Sequence, residues 1–346
     1  MIMGASVGVE GGMGAPAAGV GDSVVGGGIS AIDRCSMGLN AKDRISGGVR
    51  TRLGSHAAPA QTDRSRGYNL LVMSAALPLP DAVENASFDP VPAPPPPARR
   101  EWWGRHLAET RWLVELARLQ VDPVFLARHP RDVPRGDGGP VVLIPGFLAG
   151  DPSLLVLGDW LKRMGHDARS SGIAMNVGCS DRALDRLEQR VERIARETGR
   201  PVALVGHSRG GHFAKALAHR RPDRVRAVVT LGSGLDTPFD ISIPTRAAVA
   251  AVRWVHERTT DRVARNGCLT ETCRCRFTRD FCGDFPDEVP LTSIYSRGDG
   301  VVWWEACAVP YARNVEVSGS HVGLAFNAQA YRVIARALAP AVAVAP

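Results

Sequence analysis

The sequence predicts an α/β protein in which a mostly parallel sheet is flanked by helices on both faces. From Pro140 onward, short β-branched and apolar runs alternate with longer segments whose apolar residues recur at helical spacing. Strands that alternate with helices form βαβ units, and such units produce parallel strands. The chain has 346 residues, 45% of them hydrophobic, and is therefore long enough to bury the core of such a layered fold.

The first part of the chain lacks hydrophobic periodicity. Residues 1–67 are rich in Gly, Ser and Ala, and we predict that residues 1–72 form a disordered tail. Met73 is a second candidate translation start, which gives the hypothesis that the tail results from a mis-called start. Residues 73–99 contain the run P-V-P-A-P-P-P-P and are predicted to form a stiff proline-rich linker.

Residues 100–137 are predicted to form an N-terminal helical segment. Within residues 100–121 an apolar stripe recurs at helical spacing. The stripe consists of Trp103, Leu107, Val114, Ala117 and Val121, broadened by Trp102, Trp112 and Leu113. We expect this stripe to pack on the domain. A helix lying on a lipid surface is the alternative, which Glu101, Glu109 and Glu115 disfavour.

Residues 138–340 are predicted to form the main domain. Strands are predicted over residues 141–144, 201–205, 225–231, 291–295 and 315–317, and helices over 152–164, 181–197, 209–219 and 322–338. Asp151 and Ser180 are expected to cap the first two of these helices. Residues 234–289 break the alternation with a helix near 244–258 and a cysteine-rich loop. We predict that they form a lid or cap inserted between two core strands.

The charge pattern gives no support for a nucleic-acid partner. The net charge is +7, but the basic residues are spread out and no run of five like charges occurs. No segment approaches 18 consecutive apolar residues, so we predict no transmembrane segment. We also find no secretory signal, and the expected location is therefore cytoplasmic.

The seven cysteines are odd in number and lie in a long chain, which argues against a disulfide scaffold. The four cysteines of the predicted lid have the spacing C-x4-C-x-C-x6-C, whereas zinc ribbons prefer C-x2-C pairs. They are Cys268, Cys273, Cys275 and Cys282. Zinc ligands, buried thiols, and one or two disulfides all remain open for them, and we predict no metal site and no cofactor.

One motif suggests chemistry. The predicted strand over 201–205 runs directly into G-H-S-R-G, which consists of Gly206, His207, Ser208, Arg209 and Gly210, and a predicted helix follows. In this strand–turn–helix context the serine lies on a tight, strained turn. The two glycines permit the close backbone approach that the turn requires. The serine hydroxyl then projects at the edge of the sheet, beside the N–H groups of the helix N-terminus.

In this context the sequence resembles the α/β-hydrolase superfamily, and within it the bacterial lipase and esterase branch, over roughly residues 138–340. The family order is nucleophile, acid, then histidine. The resemblance implies that Ser208 is the nucleophile, that Asp299 in S-R-G-D-G is the acid, and that His321 in S-G-S-H-V-G is the base. Asp236 and Asp240 are rival candidates for the acid, because some family members use an earlier strand.

The resemblance also implies an oxyanion hole made of two backbone N–H groups. Arg209 would provide one of them. The early loop in V-L-I-P-G-F-L would provide the other, from Phe147 or Leu148. His207 is expected to be structural, and His212 is expected to pack.

The resemblance implies a serine hydrolase that cleaves carboxylic esters through an acyl-enzyme, with a small-molecule or lipid ester as its substrate. Three alternatives remain open. An acyltransferase or perhydrolase would use the same residues, thioester or amide cleavage is a minor variant, and the fold also carries non-catalytic binding modules. The apolar side chains of the predicted lid helix are consistent with an apolar acyl pocket, or with packing alone.

Overall fold

The computed structural model describes residues 104–259, 269–270, 273 and 275–339. The predictions of a tail over 1–72 and a linker over 73–99 lie outside these residues. So do the roles expected for Glu101, Trp102, Trp103 and Cys268.

The core of the fold is a six-stranded sheet in which every neighbouring pair of strands is parallel. The spatial order is β2-β1-β3-β4-β5-β6. The strands are β1 (Pro140–Ile144), β2 (Asp167–Ser170), β3 (Val202–His207), β4 (Val225–Leu231), β5 (Leu291–Tyr295) and β6 (Arg313–Glu316). The predicted fold class, a parallel sheet flanked by helices, is confirmed.

The central strands follow from their composition. Every residue of β1 and β3 is buried, because helices cover both faces of the sheet, and strands in that position are apolar throughout. The edge strand β2 was not predicted. Its sequence is D-A-R-S, and only Ala168 is buried, so it lacks the apolar run by which the other strands are recognised.

Helices pack on both faces of the sheet. The helices of the described residues are α1 (Trp112–Val121), α2 (Pro123–Leu126), α3 (Leu155–Arg163), α4 (Ser180–Thr198), α5 (Arg209–Arg220), α6 (Ile243–Thr259), α7 (Arg276–Phe281), α8 (Trp304–Cys307) and α9 (Ala328–Leu338). Single 3₁₀ turns cover Ala108–Arg111, Asp151–Leu154 and Val322–Phe326. The helix predicted over 322–338 is thus divided, because the Asn327 side chain caps α9 by accepting from the Ala330 N–H.

Two hydrophobic cores result, one on each face of the sheet. Trp160 of α3 and Tyr331 of α9 lie at the centre of the first, with ring centroids 4.7 Å apart. Leu187 of α4 and Phe213 of α5 belong to the second, which also includes Phe281 of α7. The ends of the strands are therefore supported by a sheet that is closely packed on both faces.

The helix α1 packs differently from the prediction. Leu107, Val114 and Val121 of the predicted stripe are exposed, at 69%, 51% and 71%. The helix buries Leu119 instead and contacts the turn Val322–Phe326. The reason is chemical: the carboxylates of this segment bind backbone N–H groups of the domain, and this orients the apolar stripe outward.

Neither predicted helix cap is formed. The Asp151 carboxylate instead accepts hydrogen bonds from the backbone N–H groups of Ser171 and Gly172, at 3.0 and 2.8 Å. The Ser180 hydroxyl accepts from the Arg209 guanidinium at 2.9 Å. Both side chains thus fix loops near the candidate site rather than helix ends.

The helices α6 and α7 lie in the chain between β4 and β5, where an insertion was predicted. The helix predicted near 244–258 is observed as Ile243–Thr259. The function of residues 234–289 as a lid remains a prediction. Among the described residues, no helix has the length and apolarity needed to cross a membrane.

Candidate active site

Ser208 lies at the turn between β3 and α5 with a backbone φ of 53° and ψ of −124°. A serine rarely adopts this conformation, so the surrounding structure must hold it in place. One contact that stabilises this conformation is a hydrogen bond of 2.8 Å from the Ser208 N–H to the Leu231 carbonyl. Two glycines make the turn possible, because a Cβ on Gly206 would lie 2.5 Å from the Gly210 backbone and one on Gly210 would lie 2.1 Å from the Ile144 carbonyl oxygen.

The structure brings His321 and Asp299 together. Nδ1 of His321 lies 2.6 Å from Oδ2 of Asp299, and both side chains are buried. The other oxygen of Asp299 accepts hydrogen bonds from the N–H groups of Val301 and Val302, each at 2.8 Å. The carboxylate is therefore fixed, and it holds the imidazole through Nδ1. Ser208 and His321 line the same cavity.

The surroundings of His321 favour its charged form. Burial lowers the pKa of the imidazole, but the charge and hydrogen bond of Asp299, together with the charge of Glu109, outweigh that effect. The pKa of His321 is therefore raised above its ordinary value. A base of this kind holds a proton more readily than a free histidine while it still titrates.

His207 supports the same histidine. Its Nε2–H donates to the His321 carbonyl at 2.9 Å, and the two rings lie 4.9 Å apart. Burial, and then the nearby charge of His321, lower the pKa of His207 to about 4. It is therefore neutral near pH 7, as expected for a structural histidine. His212 packs against Phe281 with ring centroids 5.1 Å apart, as its predicted packing role requires.

The two rival acids lie elsewhere. Asp236 accepts hydrogen bonds from the buried ammonium of Lys215, at 3.2 Å, and from the Tyr311 hydroxyl. Asp240 lies at the cavity wall, where its backbone carbonyl accepts from the Trp303 N–H at 3.0 Å. Of the three candidates, Asp299 is the one that the structure places against His321.

The loop after β1 packs directly on the serine. A Cβ on Gly146 would lie 3.0 Å from the Cβ of Ser208, so the backbone at this point is close to the hydroxyl. The N–H of Leu148 is directed at the Asn176 carbonyl, 3.3 Å away. Phe147, the predicted donor, lines the cavity, and so does Arg209 at the first position of α5.

The side chain of Arg209 forms a network that the sequence did not indicate. Its guanidinium donates to the carbonyl and the side-chain oxygen of Asn176, at 3.1 and 3.0 Å, and to the Gly178 carbonyl at 2.9 Å. The Asn176 amide in turn donates to the Pro145 carbonyl at 2.8 Å. The residue after Ser208 therefore also fixes the loop that contains Phe147. The motif gave no signal for this, because its fourth position accepts any residue.

The cavity above these residues has a volume of about 810 Å³ and predominantly apolar walls. The loop after β1 contributes Phe147 and Leu148, and the segment after β4 contributes Phe239, Val249 and Phe277. Such a volume is within the range of sites for small organic ligands. The long segment between β4 and β5 thus forms much of the wall.

The cysteine-rich loop gives no metal site among the residues that the structure describes. The Sγ atoms of Cys273 and Cys275 lie 3.2 Å apart, whereas Cys282 is disulfide-bonded. Of the alternatives for this loop, a buried thiol at Cys273 and a disulfide at Cys282 are observed.

Residues 139–274 match a family model described as alpha/beta hydrolase fold. No curated protein matches the sequence. Among solved structures, a lipase of Bacillus licheniformis in its mature form is 17% identical, covers 61% of this chain and 96% of its own, and has a TM-score of 0.43. A monoacylglycerol lipase of Paleococcus ferrophilus is also 17% identical, with 60% and 96% covered and a TM-score of 0.41.

A soluble variant of the monoglyceride lipase of Saccharomyces cerevisiae is 14% identical, with 59% of this chain and 87% of its own covered and a TM-score of 0.40. These scores are too low to support any inference about function. The match to the family model, together with the parallel sheet and the serine turn after β3, shows that the chain has an α/β-hydrolase fold.

Proposed function

We propose that this protein is a serine hydrolase that cleaves carboxylic esters through an acyl-enzyme. The observation that carries the proposal is the placement of Ser208 on a strained turn, at the wall of a cavity that it shares with a buried His321–Asp299 pair. A serine hydroxyl becomes an effective nucleophile when a positioned base takes its proton. A histidine whose pKa is raised by a carboxylate provides such a base.

In the proposed mechanism, the Ser208 oxygen attacks the ester carbonyl carbon and its proton passes to Nε2 of His321. Asp299 holds the other ring nitrogen and stabilises the imidazolium that forms. The imidazolium then protonates the alcohol as the ester C–O bond breaks. A water molecule then attacks the acyl carbon as Nε2 takes its proton. The bond between the acyl carbon and the Ser208 oxygen breaks, the imidazolium returns the proton to that oxygen, and the acid is released.

The oxyanion formed at each attack needs two N–H donors. We assign them to Phe147 and Arg209. The Leu148 N–H is already directed at Asn176, and this favours Phe147 over its neighbour. The guanidinium of Arg209 also binds Asn176, and Asn176 in turn binds the Pro145 carbonyl. These contacts fix the loop after β1 that contains Phe147.

The apolar walls of the cavity favour an ester with an apolar acyl group. Most of the lining side chains from the segment after β4 are apolar, including Phe239, Val249 and Phe277. Transfer of an acyl chain from water to such a surface is favourable in proportion to its apolar area. We therefore expect kcat/KM to rise with acyl length until the cavity is filled.

A fluorophosphonate probe and an ester series test the proposal together. The probe reacts with activated serines, so the wild-type chain should be labelled and a Ser208→Ala variant should not. Hydrolysis of a series from short to long acyl chains should show the rise in kcat/KM. Full labelling of Ser208→Ala would refute the assignment of the nucleophile.

Acyl transfer uses the same residues and differs only in the molecule that attacks the acyl-enzyme. No feature of the described residues favours an alcohol over water as the acceptor. Product analysis with and without an added alcohol distinguishes the two reactions, because a transferase would form a new ester in place of the acid.

A further inference from the structure

A buried carboxylate lies outside residues 139–274, the range that the family model matches, and it binds the two loops that contain the candidate acid and base. Glu109 lies in the 3₁₀ turn Ala108–Arg111 and is 9% exposed. Its Oε1 accepts hydrogen bonds from the backbone N–H groups of Gly300, at 2.8 Å, and His321, at 2.9 Å. Its Oε2 accepts from the Val322 N–H at 3.0 Å.

The three donors belong to different parts of the chain. Gly300 follows Asp299 in the loop after β5, whereas His321 and Val322 lie in the loop after β6. One oxygen atom of Glu109 therefore joins the residue next to the acid to the backbone of the histidine itself.

A second carboxylate reinforces the contact. Glu115 of α1 accepts from the Ser320 N–H at 2.8 Å and from the Ser320 hydroxyl at 2.5 Å. The space around it is tight, because a Cβ on Gly323 would lie 1.5 Å from a Glu115 oxygen. The histidine loop is thus held from one side by two carboxylates of the N-terminal helical segment.

We propose that Glu109 is a positioning residue for catalysis, which sets the geometry of the Asp299–His321 pair by binding both of their loops. The inference rests on the proposed hydrolase function. Glu109 itself has no contact with the reacting atoms in the proposed mechanism. It acts through the backbone, where a shift of a fraction of an ångström would separate Nδ1 from its carboxylate or turn Nε2 away from Ser208.

The charge of Glu109 also reaches the imidazole. The charged and titratable groups that face His321 are Asp299 from the loop after β5, His207 from the end of β3, and Glu109 and Glu115 from the N-terminal segment. After burial and Asp299, Glu109 is a further cause of the shift in the pKa of His321, which it raises. Removal of its charge should therefore lower that pKa.

This gives a signature that a purely structural role lacks. The rate of ester hydrolysis requires the neutral imidazole, so the acid limb of the kcat/KM profile follows the pKa of His321. Without the Glu109 charge, the limb should move to lower pH. Loss of folded protein would lower the amplitude of the profile at every pH and leave the limb in place.

Two variants separate the charge from the hydrogen bonds. Glu109→Gln keeps the shape and an acceptor oxygen for Gly300 and His321, but it loses the charge and one bond. Glu109→Ala loses all three bonds. We expect kcat to fall by roughly 10- to 100-fold in Glu109→Ala, with KM changed little, and the acid limb to move to lower pH in Glu109→Gln. Glu197→Gln, which removes an exposed carboxylate paired with Arg169, is the matched control.

The measurement uses the full chain, with the ester series and the fluorophosphonate probe applied to all four proteins across pH. The expected result is a lower kcat and slower labelling in Glu109→Ala, a displaced acid limb in Glu109→Gln, and wild-type behaviour in Glu197→Gln. A wild-type acid limb in Glu109→Gln, or a wild-type kcat in a folded Glu109→Ala, would overturn the proposal, and the first of these tests does not depend on whether Glu109→Ala folds. A wild-type chain that neither hydrolyses esters nor labels at Ser208 would instead overturn the proposed function.

Discussion

Ser208 has a backbone conformation, with φ of 53°, that costs an L-amino acid free energy. The cost is offset by the packing of the turn between Gly206 and Gly210, whose missing side chains let three backbone segments meet. If the serine is kept for its hydroxyl, then a substitution that relieves the backbone strain should raise stability while it abolishes activity.

We predict that Ser208→Ala and Ser208→Gly both abolish ester hydrolysis but differ in stability. Alanine keeps the unfavourable φ, so its free energy of unfolding should stay close to that of the wild type. Glycine adopts this conformation without a steric penalty and should unfold with a free energy about 1 kcal/mol higher than that of Ser208→Ala. Urea unfolding of the two variants provides the measurement, and equal stability would show that the turn is unstrained.

We predict a clear division between the two candidate acids. Asp299→Asn removes the acceptor that fixes the His321 tautomer, and kcat should fall on the order of 10⁴-fold. Asp236→Asn should leave kcat close to that of the wild type. It weakens a partner of the buried Lys215 ammonium and should lower the free energy of unfolding by about 1–3 kcal/mol. A crippled kcat in Asp236→Asn would move the catalytic acid to the segment after β4.

At the scale of elements, α1 exposes the apolar stripe that its sequence pattern predicted to be buried. Leu119 is fully buried, whereas Leu113 on the other side of the helix is 59% exposed. The carboxylates of Glu109 and Glu115 decide this orientation, because buried backbone N–H groups of the domain need acceptors. The contribution of α1 to the free energy of unfolding should therefore come from the face that contains Leu119.

We predict that Leu119→Ala lowers the free energy of unfolding by about 2–5 kcal/mol, because it leaves a cavity in the core. Leu113→Ala, the same substitution six residues earlier, should change it by less than about 0.5 kcal/mol. Thermal or urea unfolding of the two variants provides the comparison. A large loss in Leu113→Ala would indicate that another surface covers the outer face of α1.

The positions of the central strands could be predicted from the sequence, because buried parallel strands are continuous apolar runs. Ser208 and Asp299 each follow such a run, and His321 follows the edge strand β6, so their convergence at one edge of the sheet was predictable. The edge strand β2 was not, because its polar sequence resembles a loop. Glu109 was not either, since its partners Gly300 and His321 lie 191 and 212 residues away in the chain.

At the scale of the whole molecule, the candidate site is closed by parts of the chain that lie far apart in sequence. The family model matches residues 139–274, which include Ser208 but neither Asp299 nor His321. Glu109 lies before this range and binds the two loops that lie after it. Integrity of the site therefore depends on the folding of the whole described domain, and conditions that loosen the domain should affect the site.

Acid is one such condition, because burial lowers the pKa values of His166, His207 and His212. Burial, followed by neighbouring charge, lowers the pKa of His207 to about 4 and that of His212 to about 3. In the unfolded chain all three should titrate near the ordinary value of about 6.5. Below that pH the unfolded state binds more protons than the folded state, so the stability that is present above pH 6.5 is lost as the pH falls.

We therefore predict that the free energy of unfolding decreases between pH 6.5 and pH 4.5, by roughly 1.4 kcal/mol per pH unit for each of His207 and His212, with a contribution of the same sign from His166. His321 does not oppose this trend in that range, since its pKa is raised and its contribution to stability is lost only as the pH increases. His212→Gln, which removes the group farther from the His321–Asp299 pair, should make the dependence less steep by the contribution of one histidine. Urea unfolding at several pH values measures both slopes, and an unchanged slope in His212→Gln would mean that His212 takes up its proton freely in the folded protein.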